Sequence, residues 1–510
     1  MAPTETRSSL ENDARNLAAF LERHKAAVLI LLSVVYAVGA VGQARGKPLW
    51  YDEIITTISA AAPDAATTWK VARQTDLNPP LPHLLTHFTM KWVANEEVGT
   101  RIPAMAGFWI FSLCLYRFTL RRAGIFYALA ALLLPVVTSA YGFALEARAY
   151  GPVLGFCGLA LAGWQSAADG IKRPLALAVL AAGLAAALLS HYYAILIYLP
   201  LAGGEAFRWY RRRRLDWPVW AAFAAGGIPL VWSAATIVTG ASRWSAHSWA
   251  PPSVGQVWEF WEAGLQPSLI FLVMLMALLA LAIVAGRQKA DGLPGCAVAL
   301  EDHELIAGVL FLAIPAAAVA GAMLVTHMFT PRYALFALAG FGFLAPMLTA
   351  HLSGGRMLPG FLMTVTLLAA LGLAMIQMPA PQNPFQQEPM LTKVLPREQV
   401  VIPDGQLFLL VWHYAPESQK SHLLFVADGT AALKYVGYDS IDEGMRVVRP
   451  FAPVQVVDYQ AFYAPGKEFL IYQNTMRPGW LLEKVLDDGG SAQVLASSGF
   501  RELIRVRFKP

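Results

Sequence analysis

Asp52 and Glu53 stand side by side in LWYDEIITTIS, just after the first apolar stretch of the chain. A carboxylate held at a membrane surface can take the proton of a hydroxyl as a general base. Two adjacent carboxylates can divide the work, one as base and the other orienting it or holding a cation. The same pair also suits the first turn of a helix, where acidic groups meet the positive end of the dipole. Arg148 in YGFALEARAYG, with Glu146 two residues before it, and Arg332-Tyr333 in THMFTPRYALF hold matching places beside later apolar stretches. A guanidinium fork fits phosphate oxygens. The plainer accounts are an ion pair between Arg148 and Glu146, and snorkelling of Arg332 to headgroups. His191-Tyr192-Tyr193 adds a titratable group to what is otherwise an interfacial aromatic belt. Asn78-Pro79-Pro80, with His83 just beyond, is a rigid entry to the next segment or simply a turn. Trp244, Trp249, Trp258 and Trp261, with Arg243, His247, Glu259 and Glu262, could stack on sugars, but an aromatic belt is the simpler account.

The elements that position these residues are set by composition. The chain has 510 residues, 56% hydrophobic and only 14% charged, with a mean hydropathy of +0.48. Soluble domains carry about 25% charged residues, so an ordinary soluble enzyme, a disordered chain and a fibrous repeat are all excluded. A polytopic membrane protein fits. Three cysteines, Cys114, Cys157 and Cys296, exclude a disulfide scaffold and a four-cysteine metal site. A net charge of +5 reflects loop anchors and gives no reason to invoke nucleic acid.

Eleven stretches are apolar enough to span a bilayer: 26–43, 102–119, 124–141, 150–168, 174–190, 194–209, 217–239, 268–286, 304–325, 333–350 and 358–378. With the N-terminal segment, one set of loops carries 17 Lys and Arg residues; the opposite short loops carry only Arg148, Arg243 and Arg332. The first set is therefore cytoplasmic. Residues 79–95 could pass for a span, but they begin with two prolines and hold two histidines and a lysine, which makes them an amphipathic helix at the interface. The first outer loop then runs over 44–101. PAPQNPFQQEP, 379–389, is a linker. Residues 390–510, near balance in charge, form a small extracytoplasmic α/β domain. Its strand-like runs are QLFLLVW, SHLLFVA, EFLIYQ and LIRVRF, and PGWLLEKVLDD is helical.

On this topology Asp52, Asn78, Arg148, His191 and Arg332 come from five loops yet share the outer face. That convergence suggests one site for an anionic, lipid-borne substrate and a hydroxyl acceptor from outside.

The ordered motifs WYDE, NPPL, TRIPA, LEARAY, SHYYA and PRYALF resemble those of GT-C membrane glycosyltransferases. The resemblance is to glycosyltransferase family 39 and its relatives, the protein O-mannosyltransferases and lipid A aminoarabinose transferases, over residues 26–378. It implies a GT-C catalytic domain over 1–378 and a polyprenyl-phosphate sugar donor. Asp52 is then the catalytic base with Glu53 beside it, Arg148, Arg332 and Tyr333 hold the donor phosphate, and Asn78, His83, Glu146, His191 and Tyr192 line the substrate. Family members commonly carry His or a basic residue where Asn78 stands. The β-trefoil insert of eukaryotic protein mannosyltransferases is absent, which favours a bacterial inner-membrane enzyme. The implied reaction is a direct displacement with inversion. A divalent cation beside Asp52 or Glu53 is compatible with the spacing but not required by it. A lipid or sugar transporter and a non-catalytic assembly subunit are the competing classes. The absence of an internal repeat and the one-sided polar residues argue against the first, and the presence of Asp52 argues against the second.

Overall fold

The computed structural model describes residues 3–76, 78–265 and 298–510, and the side chains of 3–9, 235, 236, 240–247 and 265 lie outside that description. The expected span at 268–286, Arg287, Lys289 and Cys296 fall outside it, as do the side chains of Arg243, Trp244 and His247. The chain divides into two compact units. One comprises Met1–Ala44, Arg101–Val238 and Pro252–Pro379; the other comprises Arg45–Thr100, Thr239–Pro251 and Ala380–Pro510. Residues 45–100 thus build one unit with residues 239–251 and 380–510 rather than with the helices that flank them in sequence.

The first unit is helical and built for lipid. Among the described residues, four helices are long and apolar enough to cross a membrane: Lys25–Gly46, Glu96–Leu120, Pro331–Leu352 and Met357–Ile376. Two bent pairs, Ile125–Leu145 at 71° and Asp302–Thr326 at 50°, raise the number to six if each is one span. The protein is therefore a multi-pass membrane protein; length and apolarity do not establish the expected count of eleven spans, because several helices are short or broken. On Lys25–Gly46 the large apolar side chains Ile30, Leu31, Val34 and Val38 are exposed, the inverse of a soluble helix. Its other face packs inward. Tyr36 stacks on Trp109 at 4.5 Å, and its hydroxyl donates to the Met105 carbonyl.

Small residues let helices Glu96–Leu120 and Tyr150–Ala168 touch. A Cβ on Gly107 would lie 2.4 Å from the Gly151 carbonyl oxygen, so the backbones themselves are in contact. The arginines of the basic loops are also not all loop anchors. Arg122 donates to both oxygens of Glu304 and to Asp169 at 2.7–2.8 Å. Arg208 donates to both oxygens of Glu205 and to Asp216. Glu304 and Glu205 are fully buried, so these pairs neutralise charge inside the bundle.

The second unit holds a six-stranded sheet: β1 (Val400–Val401), β2 (Leu423–Ala427), β3 (Val456–Asp458), β4 (Glu468–Asn474), β5 (Ser491–Ser498) and β6 (Arg501–Arg507). Their order is β3-β2-β1-β4-β6-β5. The first four are parallel, with Val400 opposite Leu423 and Leu470; β6 and β5 complete the sheet as an antiparallel hairpin. Three expected strands match β2, β4 and β6, and PGWLLEKVLDD is the helix Trp480–Asp487. QLFLLVW is not a strand. It lies in the helix Gly405–Tyr414, because the Asp404 carboxylate accepts from the backbone N–H groups of Gln406 and Leu407 and starts a helix there.

Residues 79–95 contain the helix Leu81–Trp92. Its 12 residues rise about 18 Å at 1.5 Å each, too short for a hydrocarbon core of about 30 Å. Phe88 and Trp92 are exposed on it.

Candidate functional site

The second unit carries the acidic motif. Trp50-Tyr51-Asp52-Glu53 opens the helix Tyr51–Ala60. The two carboxylates are not equivalent. Glu53 is fully buried, and its Oε2 accepts the backbone N–H of Trp50 at 3.2 Å. It therefore closes the start of the helix, the capping role that the sequence left open. Asp52 is half-buried, and its backbone carbonyl accepts from the Thr56 hydroxyl. Leu49 N–H donates to the Tyr414 hydroxyl at 2.7 Å, fixing the chain just ahead of the motif.

Asn78 and His83 are drawn together by a residue that sequence reasoning missed. One oxygen of Asp76 accepts from the backbone and side-chain nitrogens of Asn78, both at 2.9 Å. Its other oxygen is 3.4 Å from His83 Nε2. Asp followed two residues later by Asn before Pro-Pro is an Asx-turn pattern, and that spacing was the available signal. His83 is buried on the first turn of Leu81–Trp92. Asn78 is thus engaged by Asp76.

The first unit carries the arginine and histidine candidates, each beside a tight 3-10 turn. Ser139–Leu145 precedes Glu146 and Arg148, His191 caps Tyr192–Ile197, and Pro331–Ala337 holds Arg332 and Tyr333. Proline and aromatic residues interrupt the α-helical pattern at these places, and the tighter turns re-aim side chains at helix ends. Tyr333 lies 4.9 Å from His191 and 5.0 Å from Tyr193. His191 lies 5.9 Å from Tyr150, and the Arg332 guanidinium sits 5.8 Å from the Tyr150 ring centre. Arg332, Tyr333 and His191 are therefore brought together, with Tyr150 and Tyr193 added to them. Tyr193 donates to the Met328 carbonyl and bonds the Thr326 hydroxyl, fixing the segment that leads to Arg332. Tyr192 is half-buried one residue earlier. Arg148 and Glu146 are half-buried in the turn that leads into Tyr150, where the Arg148 N–H donates to the Glu146 carbonyl at 2.7 Å.

Arg101, the arginine of TRIPA, is fully buried. Its Nη1 donates to the Ala44 carbonyl at 2.9 Å. That satisfies a carbonyl near the end of the first membrane helix, six residues before the acidic motif begins. Among the described residues, no group of three or more His, Cys, Asp or Glu side chains could hold a metal ion. Trp249 and Trp258 are exposed, as an aromatic belt requires.

No protein-family model matches the chain, and neither does any curated protein sequence. Solved structures do. ArnT from Cupriavidus metallidurans in the apo state is 14% identical with a TM-score of 0.56, over 95% of this chain and 98% of that one. The same protein bound to undecaprenyl phosphate is 15% identical with a TM-score of 0.54, over 94% of this chain and 98% of that one. The resemblance to GT-C membrane proteins expected from the motifs is met at the level of fold.

Proposed function

We propose that this chain is an integral-membrane glycosyltransferase that moves a sugar from a polyprenyl-phosphate donor to a hydroxyl outside the cytoplasm. The observation that carries the reading is the shared fold with ArnT over nearly the full length of both chains, with undecaprenyl phosphate bound in one of the two ArnT structures. The motifs support it residue by residue. Asp52 takes the proton of the acceptor hydroxyl as that oxygen bonds to the anomeric carbon. The bond from that carbon to the phosphate oxygen breaks, and polyprenyl phosphate leaves. Arg332 and Arg148 bind the phosphate and stabilise the charge it gains. A single displacement inverts the configuration of the anomeric carbon. Glu53 orients Asp52 by fixing the first turn of its helix. Tyr333 and His191 flank Arg332, and Tyr192, Glu146, Asn78 and His83 line the substrates.

In this reading the protein lies in a bacterial inner membrane with eleven spans, its N-terminus in the cytoplasm and residues 390–510 outside. The acceptor is a glycan, a lipid or a protein. The test is to incubate purified protein with polyprenyl-phosphate sugars and measure release of polyprenyl phosphate. Release that depends on an added hydroxyl acceptor, with the sugar recovered on that acceptor, is expected. No release from any polyprenyl-phosphate sugar, under conditions where the protein is folded and binds the lipid, contradicts the proposal.

A further inference from the structure

The strand order of the C-terminal sheet reverses beside β1: β2 and β3 extend to one side, and β4 returns on the other. In open parallel sheets such a reversal leaves a crevice at the carboxyl ends of the strands, and ligands bind there. Here the crevice is closed by the protein itself. The loops after β1 and β4 touch, since a Cβ on Gly479 would lie 2.6 Å from Pro403. Arg477, from the loop after β4, donates to Gln406 at 3.0 Å.

Tyr51, the residue before the proposed base, occupies the same end of the sheet. It is 7% exposed, and Asp442 and Asp404 are among the charges that act on it. Asp404 follows β1 directly. Asp442 is buried in the helix Ser440–Val448 and accepts from Trp480 Nε1, at the start of the helix after β4, and from the backbone of Asp428, just past β2. Of the groups that act on Tyr51, Asp404 thus follows β1 and Asp442 is bonded to the ends of β2 and β4. Gly444, on the same helix as Asp442, gives the ring its space: a Cβ there would lie 3.0 Å from the Tyr51 hydroxyl. Leu49, Ile54 and Ile55, on either side, share one apolar core with Phe408, Trp412, Phe425 and Met445. The helix Gly405–Tyr414 also holds both ends of the outer loop. Tyr414 bonds Leu49 and Glu97, and His413 Nε2 is 3.2 Å from Glu96.

We propose that the C-terminal domain uses its ligand crevice as a socket for Tyr51, with Gly444 as a positioning residue that sets the helix carrying Asp52. The domain's part in transfer is then to hold the base, and not to bind a second small molecule. The inference rests on the assignment of Asp52 as base, and the experiment separates the two.

Turnover and donor KM are measured for full-length Gly444→Ala, Gly444→Leu, Gly444→Ala with Tyr51→Phe, and Asp52→Asn. Ala and Leu are both better helix formers than Gly, so loss of activity from an unwound helix is not expected. A misplacement of about 1 Å can lower a rate about 100-fold. Gly444→Leu should therefore lower kcat by about 10- to 100-fold with donor KM little changed, and Gly444→Ala should lower it less. Removing the Tyr51 hydroxyl makes room for the new Cβ, so Tyr51→Phe should restore kcat in the Gly444→Ala background. Thermal melting of Gly444→Ala should stay within a few degrees of the wild type, the helix propensity gained offsetting the crowding at Tyr51. Wild-type kcat in both Gly444 variants, or failure of Tyr51→Phe to restore Gly444→Ala, overturns the socket. An active Asp52→Asn overturns the assignment of the base; an inactive Asp52→Asn beside fully active Gly444 variants overturns the socket alone.

Discussion

At the scale of residues, the adjacent carboxylates of WYDE sit in different surroundings. Glu53 is buried with its carboxylate on the Trp50 N–H; Asp52 is half-buried. Replacing a capping group typically lowers stability by about 1 kcal/mol. Glu53→Gln keeps a side-chain oxygen for the Trp50 N–H, so it should retain most of the activity and melt within a few degrees of the wild type. Glu53→Ala should lower both, measured by thermal melting and turnover on one preparation. The arginines make a second prediction. If Arg332 and Arg148 hold the donor phosphate, Arg→Lys should weaken activity because lysine lacks the fork, and Arg→Ala should weaken it further. Charged hydrogen bonds contribute about 1.5–3 kcal/mol, so Arg→Ala should reduce kcat/KM by at least about tenfold. Because charge on the phosphate grows as it leaves, kcat should fall with donor affinity. Normal values for both Ala variants would make the arginines interfacial anchors only.

At the scale of elements, the same physics tests how the scaffold is held. Arg122→Ala leaves the buried Glu304 carboxylate without its bidentate partner. Breaking such a pair destabilises by about 3–5 kcal/mol, so the variant should be recovered at much lower yield or melt far earlier in detergent. Adding Glu304→Gln removes the stranded charge and should recover part of the loss; no recovery would mean that the pair is not what stabilises this region. Asp442 gives a pH dependence. Burial raises its carboxyl to about 6 from the ordinary 3.8. A raised folded pKa means that its favourable contribution is present below about 4 and is lost as pH rises through 6. Asp442→Asn keeps an oxygen for Asp428 N–H and Trp480 Nε1 but does not titrate. Relative to the wild type it should gain in melting temperature between pH 4 and 7, and an unchanged difference across that range would contradict the assignment.

Much at this scale was legible in the sequence. The acidic start of DEIITTIS marked a helix, and Pro79-Pro80 marked the entry to a short one. SHLLFVA, EFLIYQ and LIRVRF read as strands. QLFLLVW misled because a short, continuous apolar run has no period of its own, and the Asp404 cap decided it. Tyr150 and Tyr193 were not legible as neighbours of Arg332, since each belongs to a different helix end and only packing brings their rings together. Asp76 carried a local signal, an Asx turn before Pro-Pro, that was there to be read.

At the scale of the molecule, composition alone required a membrane protein, and the ordered motifs pointed to the fold shared with ArnT. What no local pattern revealed is that residues 45–100 and 380–510 form one unit, because that union rests on contacts more than 300 residues apart, such as Tyr414 with Leu49. The proposed topology makes its own prediction. Reporter fusions after Met378 should read extracytoplasmic, and those within 79–95 should read the same side; a cytoplasmic reading after Met378 would invert the account. The central claim is that Asp52 is the base of a sugar transfer from a polyprenyl phosphate. Its most direct measurement is the turnover of purified Asp52→Asn with a polyprenyl-phosphate sugar that the wild type uses, beside the affinity of both proteins for the donor. The variant should bind donor normally and lose about two to four orders of magnitude in turnover. Turnover by Asp52→Asn near the wild-type rate would contradict the account.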